Sequence, residues 1–291
     1  MLIQLATRQL IVVTGKGGVG KTTLTAALGR LLAAAGRKTL LLETDPRESL
    51  HQLLNTPPSA GQVLTAGPRL YLQNLSPKAV VENLTREKIP IPPLANSIIH
   101  HPVYQQFIDG APGMKEMAVL GYALRTVTGE ARFKADVVVL DAPATGHSAS
   151  MLQAPLLLAD LLGGGQLGEM AKDLARFIAN PKRCGVVLAT LAEEMPVQET
   201  LELVQFLREK LSRPPEKIVV NALYPPVTGP GVHGTDPLAR LWRDRRAVNE
   251  QELARLRAAW DGPVVELPLL PMDRGPALLA ALAARLEEQV T

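Results

Sequence analysis

The sequence predicts an α/β fold: a doubly wound, mainly parallel sheet with a small helical subdomain. Three observations predict it. Short runs are apolar at every position rather than at alternate ones, as strands covered on both faces require. Helical patterns alternate with several of those runs. A glycine-rich loop joins the first run to the first helical pattern, where a doubly wound sheet places its ligand.

Each element follows in order. Residues 9–14 (QLIVVT) form a β-branched first strand, and the glycine loop occupies 15–20. Leu24, Leu28, Leu31 and Leu32 then share one helical face, and Gly36 is placed to end that helix. Residues 38–43 (KTLLLE) form a second strand that stops at Thr44, Asp45 and Pro46. Further buried-type strands are predicted at 135–141, 184–189, 217–221 and 262–267, with helices at 197–211 and 276–288. Two stretches break the alternation: 57–134 is Pro-rich with weak periodicity, and 148–180 is Ala/Leu-rich and interrupted by Gly163, Gly164 and Gly165. Both are expected to be helical insertions above the C-terminal edge of the sheet. Residues 1–291 are read as one domain.

Composition excludes several classes. The chain has 291 residues, 31 Lys plus Arg against 28 Asp plus Glu, and a formal charge of +3. So small an excess makes no case for a nucleic-acid partner. Aromatic residues are only 3% of the chain, too few for base-stacking platforms. Cys184 is the single cysteine, so no internal disulfide can form, and a reducing, cytoplasmic setting is expected. The N-terminal residues lack the pattern of a signal peptide. No run approaches the roughly 18 uncharged apolar residues of a membrane span, so direct membrane insertion is not expected.

Gly15, Lys16, Gly17, Gly18, Val19, Gly20, Lys21 and Thr22 match G-x-x-x-x-G-K-[ST]. In that motif successive backbone N–H groups curl around phosphate oxygens, and the next helix points its positive end at them. Lys21 would reach the β and γ phosphates, and the Thr22 hydroxyl would take a magnesium position. Thr23 continues the helix beside them. Carboxylates are needed at the ends of neighbouring strands, and Asp45 and Asp141 end two of them. Glu43, one step back on its strand, is the second choice.

Lys16 is not needed to wrap the phosphate. The loop resembles the deviant Walker A motif KGGVGKT of P-loop ATPases in which this lysine crosses a dimer interface. Asp141-Ala-Pro-Ala-Thr-Gly-His147 resembles switch II of the ArsA and tail-anchored-protein-targeting (guided-entry) ATPases, DTAPTGH. Thr44, Asp45 and Pro46, followed by Ser49 and Leu50, resemble their switch I, STDPAHSL. Asn221 matches the asparagine that contacts adenine, Pro268 and Leu269 lie in the matching adenine-side loop, and Glu193 falls near a nucleotide-contacting glutamate.

The resemblance implies ATP or ADP and Mg²⁺ as ligands. Asp45 would orient or deprotonate the attacking water. Asp45 and Asp141 would stand in the outer shell of the metal, with Asp141 coupled to switch II through Gly146 and His147. Lys16 and Lys21 would stabilise charge on the transferring phosphoryl group. With one such loop, the second half must come from another chain, as a homodimer or a heterodimer with a paralogue. The partner or client implied is a membrane-associated protein, served by transport or targeting. The alternatives are a chaperone that shields apolar segments and a MinD- or ParA-like positioning ATPase; switch II and the C-terminal helix disfavour the latter.

Departures from the family pattern narrow these expectations. Arg47 and Glu48 stand where the family usually has Ala and His. No CxxC pair follows Asn221, so a dimer-bridging zinc is predicted absent, and Cys184 alone cannot supply a thiolate metalloid site. His147 is read as a loop-holding residue, and His100 and His101 as a solvated loop. Arg240, Arg243, Arg245 and Arg246 are read as a solvated helix face. The Leu-rich face of 148–180 is expected to pack on the sheet rather than to form a client groove.

Overall fold

The computed structural model describes residues 5–143, 148–226 and 237–289. Strands β1 (Leu10–Thr14), β2 (Thr39–Glu43) and β5 (Val137–Asp141) are buried at every position, which explains their unbroken apolar sequences. They lie at the centre of an eight-stranded sheet. Its remaining strands are β3 (Leu64–Gly67), β4 (Leu70–Asn74), β6 (Cys184–Leu191), β7 (Lys217–Leu223) and β8 (Val264–Pro268). The order is β3-β4-β2-β5-β1-β6-β7-β8, and every neighbouring pair is parallel except β3 with β4. From β1 the chain crosses to β2, returns to β5 beside β1, and then continues on the other flank with β6. The resulting crevice lies at the C-terminal end of β1, where the glycine loop begins.

Alternate side chains feed two cores. Ile11, Val13, Leu41, Val137 and Val139 point to a layer built by helices α1 (Lys21–Ala34), α2 (Leu50–Leu54) and α11 (Pro276–Glu288). Leu10, Val12, Leu40, Leu42, Val138 and Leu140 point to the opposite layer. That layer is built largely by α6 (Met114–Thr128), α7 (Ser148–Leu162), α8 (Gly165–Ala179), α9 (Glu194–Lys210) and α10 (Pro237–Ala259). Helix α1 sits close on the sheet because Gly29 faces Leu41: a Cβ at Gly29 would lie 2.3 Å from Leu41 Cδ2.

The first insertion, expected to be helical, is in part a strand hairpin. Within 57–134, β4 pairs with β2 in parallel and β3 covers the edge, turning through Arg69 in the left-handed region at φ 58°. Leu70-Tyr-Leu-Gln-Asn74 buries Leu70, Leu72 and Gln73 and half-buries Tyr71 and Asn74, a pattern too short and too mixed to stand out among prolines. The prolines themselves start helices. Pro77, Pro92 and Pro102 each occupy the first turn of α3 (Pro77–Lys88), α4 (Pro92–Ile99) and α5 (Pro102–Gly110), where no N–H is needed. Ser76 caps α3 by accepting from the Ala79 N–H at 3.4 Å.

The second insertion is helical, as α7 and α8. Its inner face, including Met151, Leu152, Leu158, Leu174, Phe177 and Ile178, joins the core. Leu157, Leu161, Leu167 and Met170 remain exposed, so the expectation of packing on the sheet holds for one face only.

Candidate active site

The loop that leaves β1 is shaped by sterics that only glycine satisfies. Gly15, Gly18 and Gly20 have φ of 141°, 82° and 92°. A Cβ at Gly15 would stand 2.1 Å from the Ala189 carbonyl oxygen, and one at Gly20 would stand 2.3 Å from Asn221 Nδ2. Gly17 and Gly18 face solvent, while the Val19 side chain is buried in the α1-side core and leaves only its backbone for a ligand. Helix α1 opens with no side-chain cap and no acidic residue in its first turn. Its free N–H groups and positive end therefore face the loop.

Charged groups converge on this end of the sheet. Lys21 is buried and its Nζ donates to the Lys16 carbonyl at 2.8 Å. Burial pulls its pKa down, and the neighbouring Asp141 opposes that. The Thr22 hydroxyl donates to Asp141 Oδ2 at 2.6 Å, and Thr25 Oγ1 approaches Oδ1 at 3.4 Å. Burial pushes the Asp141 carboxyl up to about 7, with the Thr22 hydrogen bond opposing and Glu43 reinforcing.

Glu43 sits directly across from Asp141 in the β2–β5 register. Its oxygens are taken by the Ser49 and Leu50 N–H groups at 2.8 and 3.1 Å, so it anchors the loop after β2 and starts α2. That occupation accounts for Glu43 better than the metal position it was the second choice for.

Asp45 is half-exposed and opens that loop's first turn, its carbonyl accepting from the Glu48 N–H at 3.1 Å. It accepts from the Arg47 backbone N–H at 2.9 Å and from the Arg47 guanidinium at 3.2 and 3.0 Å, and these bonds hold its carboxyl below the usual range. Asn74 Nδ2 donates to the Asp45 carbonyl at 2.6 Å. Glu48, at φ 46°, accepts from the Ser59 and Ala60 N–H groups. Lys16 reaches sideways to Glu199 of α9, Nζ to Oε1 2.8 Å. Asn74, Glu48 and Glu199 were missed as supports because each meets its partner only after folding.

The remaining sequence candidates are distributed as follows. Asn221 Nδ2 donates to the Val19 carbonyl at 3.0 Å, so it touches the loop itself. Pro268 ends β8 opposite Leu223, and the Leu269 N–H donates to the Leu223 carbonyl at 2.7 Å. Both lie beyond Asn221 at the same end of the sheet. Glu193 precedes α9 and faces Arg245 of α10 at 3.9 Å. Gly146 and His147 lie outside the described residues. Cys184 is buried, and burial pushes its thiol up to about 11, which suits a core residue.

Among the described residues, no group of three or more His, Cys, Asp or Glu side chains could hold a metal ion on its own. A magnesium ion carried by phosphates needs less, a hydroxyl and one or two carboxylates. The Thr22–Asp141 contact fits that demand. No helix among the described residues is long and apolar enough to cross a membrane.

Comparison with known proteins agrees with this geometry. Residues 8–178 match the model of the anion-transporting ATPase family ArsA. The chain is 31% identical to the ATPase BagA of Mycobacterium tuberculosis over 75% of its own length and 66% of that protein, so it spans just under two thirds of this relative. It is 26% identical to the ATPase asna-1 of Caenorhabditis elegans, with 96% of this chain and 93% of that protein covered. With the ATPase GET3 of Komagataella phaffii it shares 29% identity over 69% of this chain and 61% of that protein. A glycine loop on β1, a threonine–aspartate hydrogen bond beside it and a family match over more than half the chain lead to one statement: the chain belongs to the ArsA family of anion-transporting ATPases.

Proposed function

We propose that this chain hydrolyses ATP with Mg²⁺ at the β1–α1 loop, in the cytoplasm, as half of a two-chain site that closes on nucleotide. The observation that carries the reading is the 2.6 Å bond from Thr22 to Asp141 at the first turn of α1. A hydroxyl and a carboxylate joined at that turn support a phosphate-bound metal there. The loop N–H groups of residues 15–20 and Lys21 hold the β and γ phosphates. Thr22, with Asp45 and Asp141 in the outer shell, would hold Mg²⁺, which supplies charge neutralisation when bound.

Asp45 orients the attacking water. Its lowered pKa makes it a weak base and favours orientation over proton removal. Lys16 is the group that crosses to the second nucleotide, and Glu199 holds it within its own chain until then. The second chain is another copy or a paralogue. On the adenine side, Asn221, Pro268 and Leu269 share the same sheet end as the loop. Expected on this reading, Asp45→Asn lowers ATP turnover about 100-fold or more and leaves nucleotide affinity within about threefold. Unchanged turnover in that variant, followed by phosphate release, would remove Asp45 from the mechanism.

Closure would be read out by the helical layers for a membrane-associated partner, in transport or targeting. A second reading, a chaperone for apolar segments, is favoured by one observation. Ile91, Leu94, Val103 and Phe107 of the α4–α5 region are all about half exposed or more, and Leu161 of α7 is 77% exposed. Apolar residues exposed singly are ordinary on surfaces, so the reading rests on these side chains acting together. On the chaperone reading, Phe107→Ser with Leu161→Ser abolishes capture of an apolar helical peptide by the ATP-bound protein. ATPase rates stay unchanged, and full peptide capture by the double variant would reject the reading.

A further inference from the structure

The opposite edge of the sheet holds a second concentration of charge that the ATPase reading does not use. A cavity of about 450 Å³ opens at the N-terminal ends of the central strands, within the range of small-molecule sites. Arg37, Lys134, Lys182 and Arg183 line it, against one carboxylate, Asp136. Four cations against one anion give this lining a local excess of three positive charges.

The two arginines are fixed in place without being neutralised. Arg37 Nη2 donates to two backbone carbonyls, Asp136 at 2.6 Å and Arg8 at 3.2 Å. Arg183 Nε donates to Gln9 Oε1 at 2.7 Å, and its guanidinium lies 4.5 Å over the Phe177 ring. Each keeps its full charge and spare N–H groups in a held orientation, the arrangement that recognises phosphate oxygens. Lys134 and Lys182 are exposed and make no ion pair with a described carboxylate. Asp136 is already engaged, accepting from the Lys38 N–H at 2.8 Å and facing Arg69 at 3.6 Å.

We propose that this cavity is a binding site for a small anion carrying two or more phosphate groups. The local charge excess matches a pyrophosphate-like group, and the pair of fixed guanidinium groups flanked by two exposed ammonium groups suits its clustered oxygens. The site is independent of the nucleotide. Gln9 and Gly15 stand at opposite ends of β1, about 20 Å apart at the rise of a strand.

Titration calorimetry with sodium pyrophosphate tests this, using protein saturated with a non-hydrolysable ATP analogue so that the α1 loop is filled. One saturable site is expected, weakened at least tenfold by Lys134→Glu with Lys182→Glu. Affinity for the analogue, unchanged in the same preparation, reports that the variant is folded. A second arm separates the source of the phosphates. Sedimentation with vesicles of phosphatidylcholine containing phosphatidylinositol 4-phosphate, lost in the double variant, assigns them to a lipid headgroup, whereas pyrophosphate binding without vesicle binding assigns a soluble ligand. Absence of both, or binding that survives the double variant, overturns the proposal.

Discussion

Asp141 shows how burial sets the chemistry of one residue in this protein. Its carboxyl, pushed up to about 7 mainly by burial, binds a proton in the folded ligand-free state that the unfolded chain has already released above the ordinary carboxylate range. Where the folded state holds more protons, stability falls as pH rises. From about pH 4 to about pH 7, this residue therefore makes the ligand-free fold less stable with each step upward. Asp141→Asn is expected to remove that slope, so that the urea midpoint of the variant gains on the parent as pH rises across this window. A parallel pH response in the two proteins would place the raised pKa elsewhere, with Glu43 the next candidate because burial raises it too.

At the same scale, two charged groups proposed for the reaction are engaged within their own chain. Asp45 is held by Arg47, and Lys16 by Glu199. Both pairs are partly or largely exposed, with Arg47 84% exposed. Exposed pairs are screened by solvent and contribute little, so either can be broken by a modest gain in phosphate contact. The glycine loop, Thr22 and Asp141 were legible in the sequence because their chemistry demands those residue types at that spacing. Arg47 was visible as a departure from the family pattern, but its hold on Asp45 was not. Glu199 was more hidden still, because 183 positions separate it from Lys16 and nothing local marks a salt-bridge partner.

Helices and strands show the same contrast between chemistry that is local and packing that is not. The central strands were legible because burial on both faces leaves only apolar residues between their ends. The β3–β4 hairpin was not, since an edge needs few apolar residues and β4 runs for only five. Within the Pro-rich stretch 57–134, Pro77, Pro92 and Pro102 are first-turn residues of three helices, and only the chain that follows each one shows that role. Helix α1 carries a testable packing demand at Gly29, which lies mid-helix where alanine would gain about 1 kcal/mol of propensity. The 2.3 Å approach to Leu41 reverses that gain, because overpacking a full core costs about 1–3 kcal/mol. Gly29→Ala is expected to lower unfolding free energy by about 1 kcal/mol in urea titration, and a stabilised variant would show that α1 can move off the sheet.

For the whole molecule, the sheet separates three regions. Its C-terminal end carries the glycine loop with Asp45 and Asp141, its N-terminal end carries the basic cavity, and the helical layer built from the insertions exposes apolar side chains. A net charge close to zero does not report a basic lining such as this one, because composition sums over the whole molecule. A chain with one glycine loop and a lysine held by its own Glu199 suits a site completed by a second chain. On that account nucleotide binding supplies the phosphates that draw Lys16 away. Sedimentation velocity with and without a non-hydrolysable ATP analogue and Mg²⁺ measures this most directly. The protein is expected to shift from monomer toward dimer on adding the analogue, and Lys16→Ala to bind the analogue yet remain monomeric. An unchanged mass on saturation, or a Lys16→Ala variant that dimerises like its parent, would contradict the account.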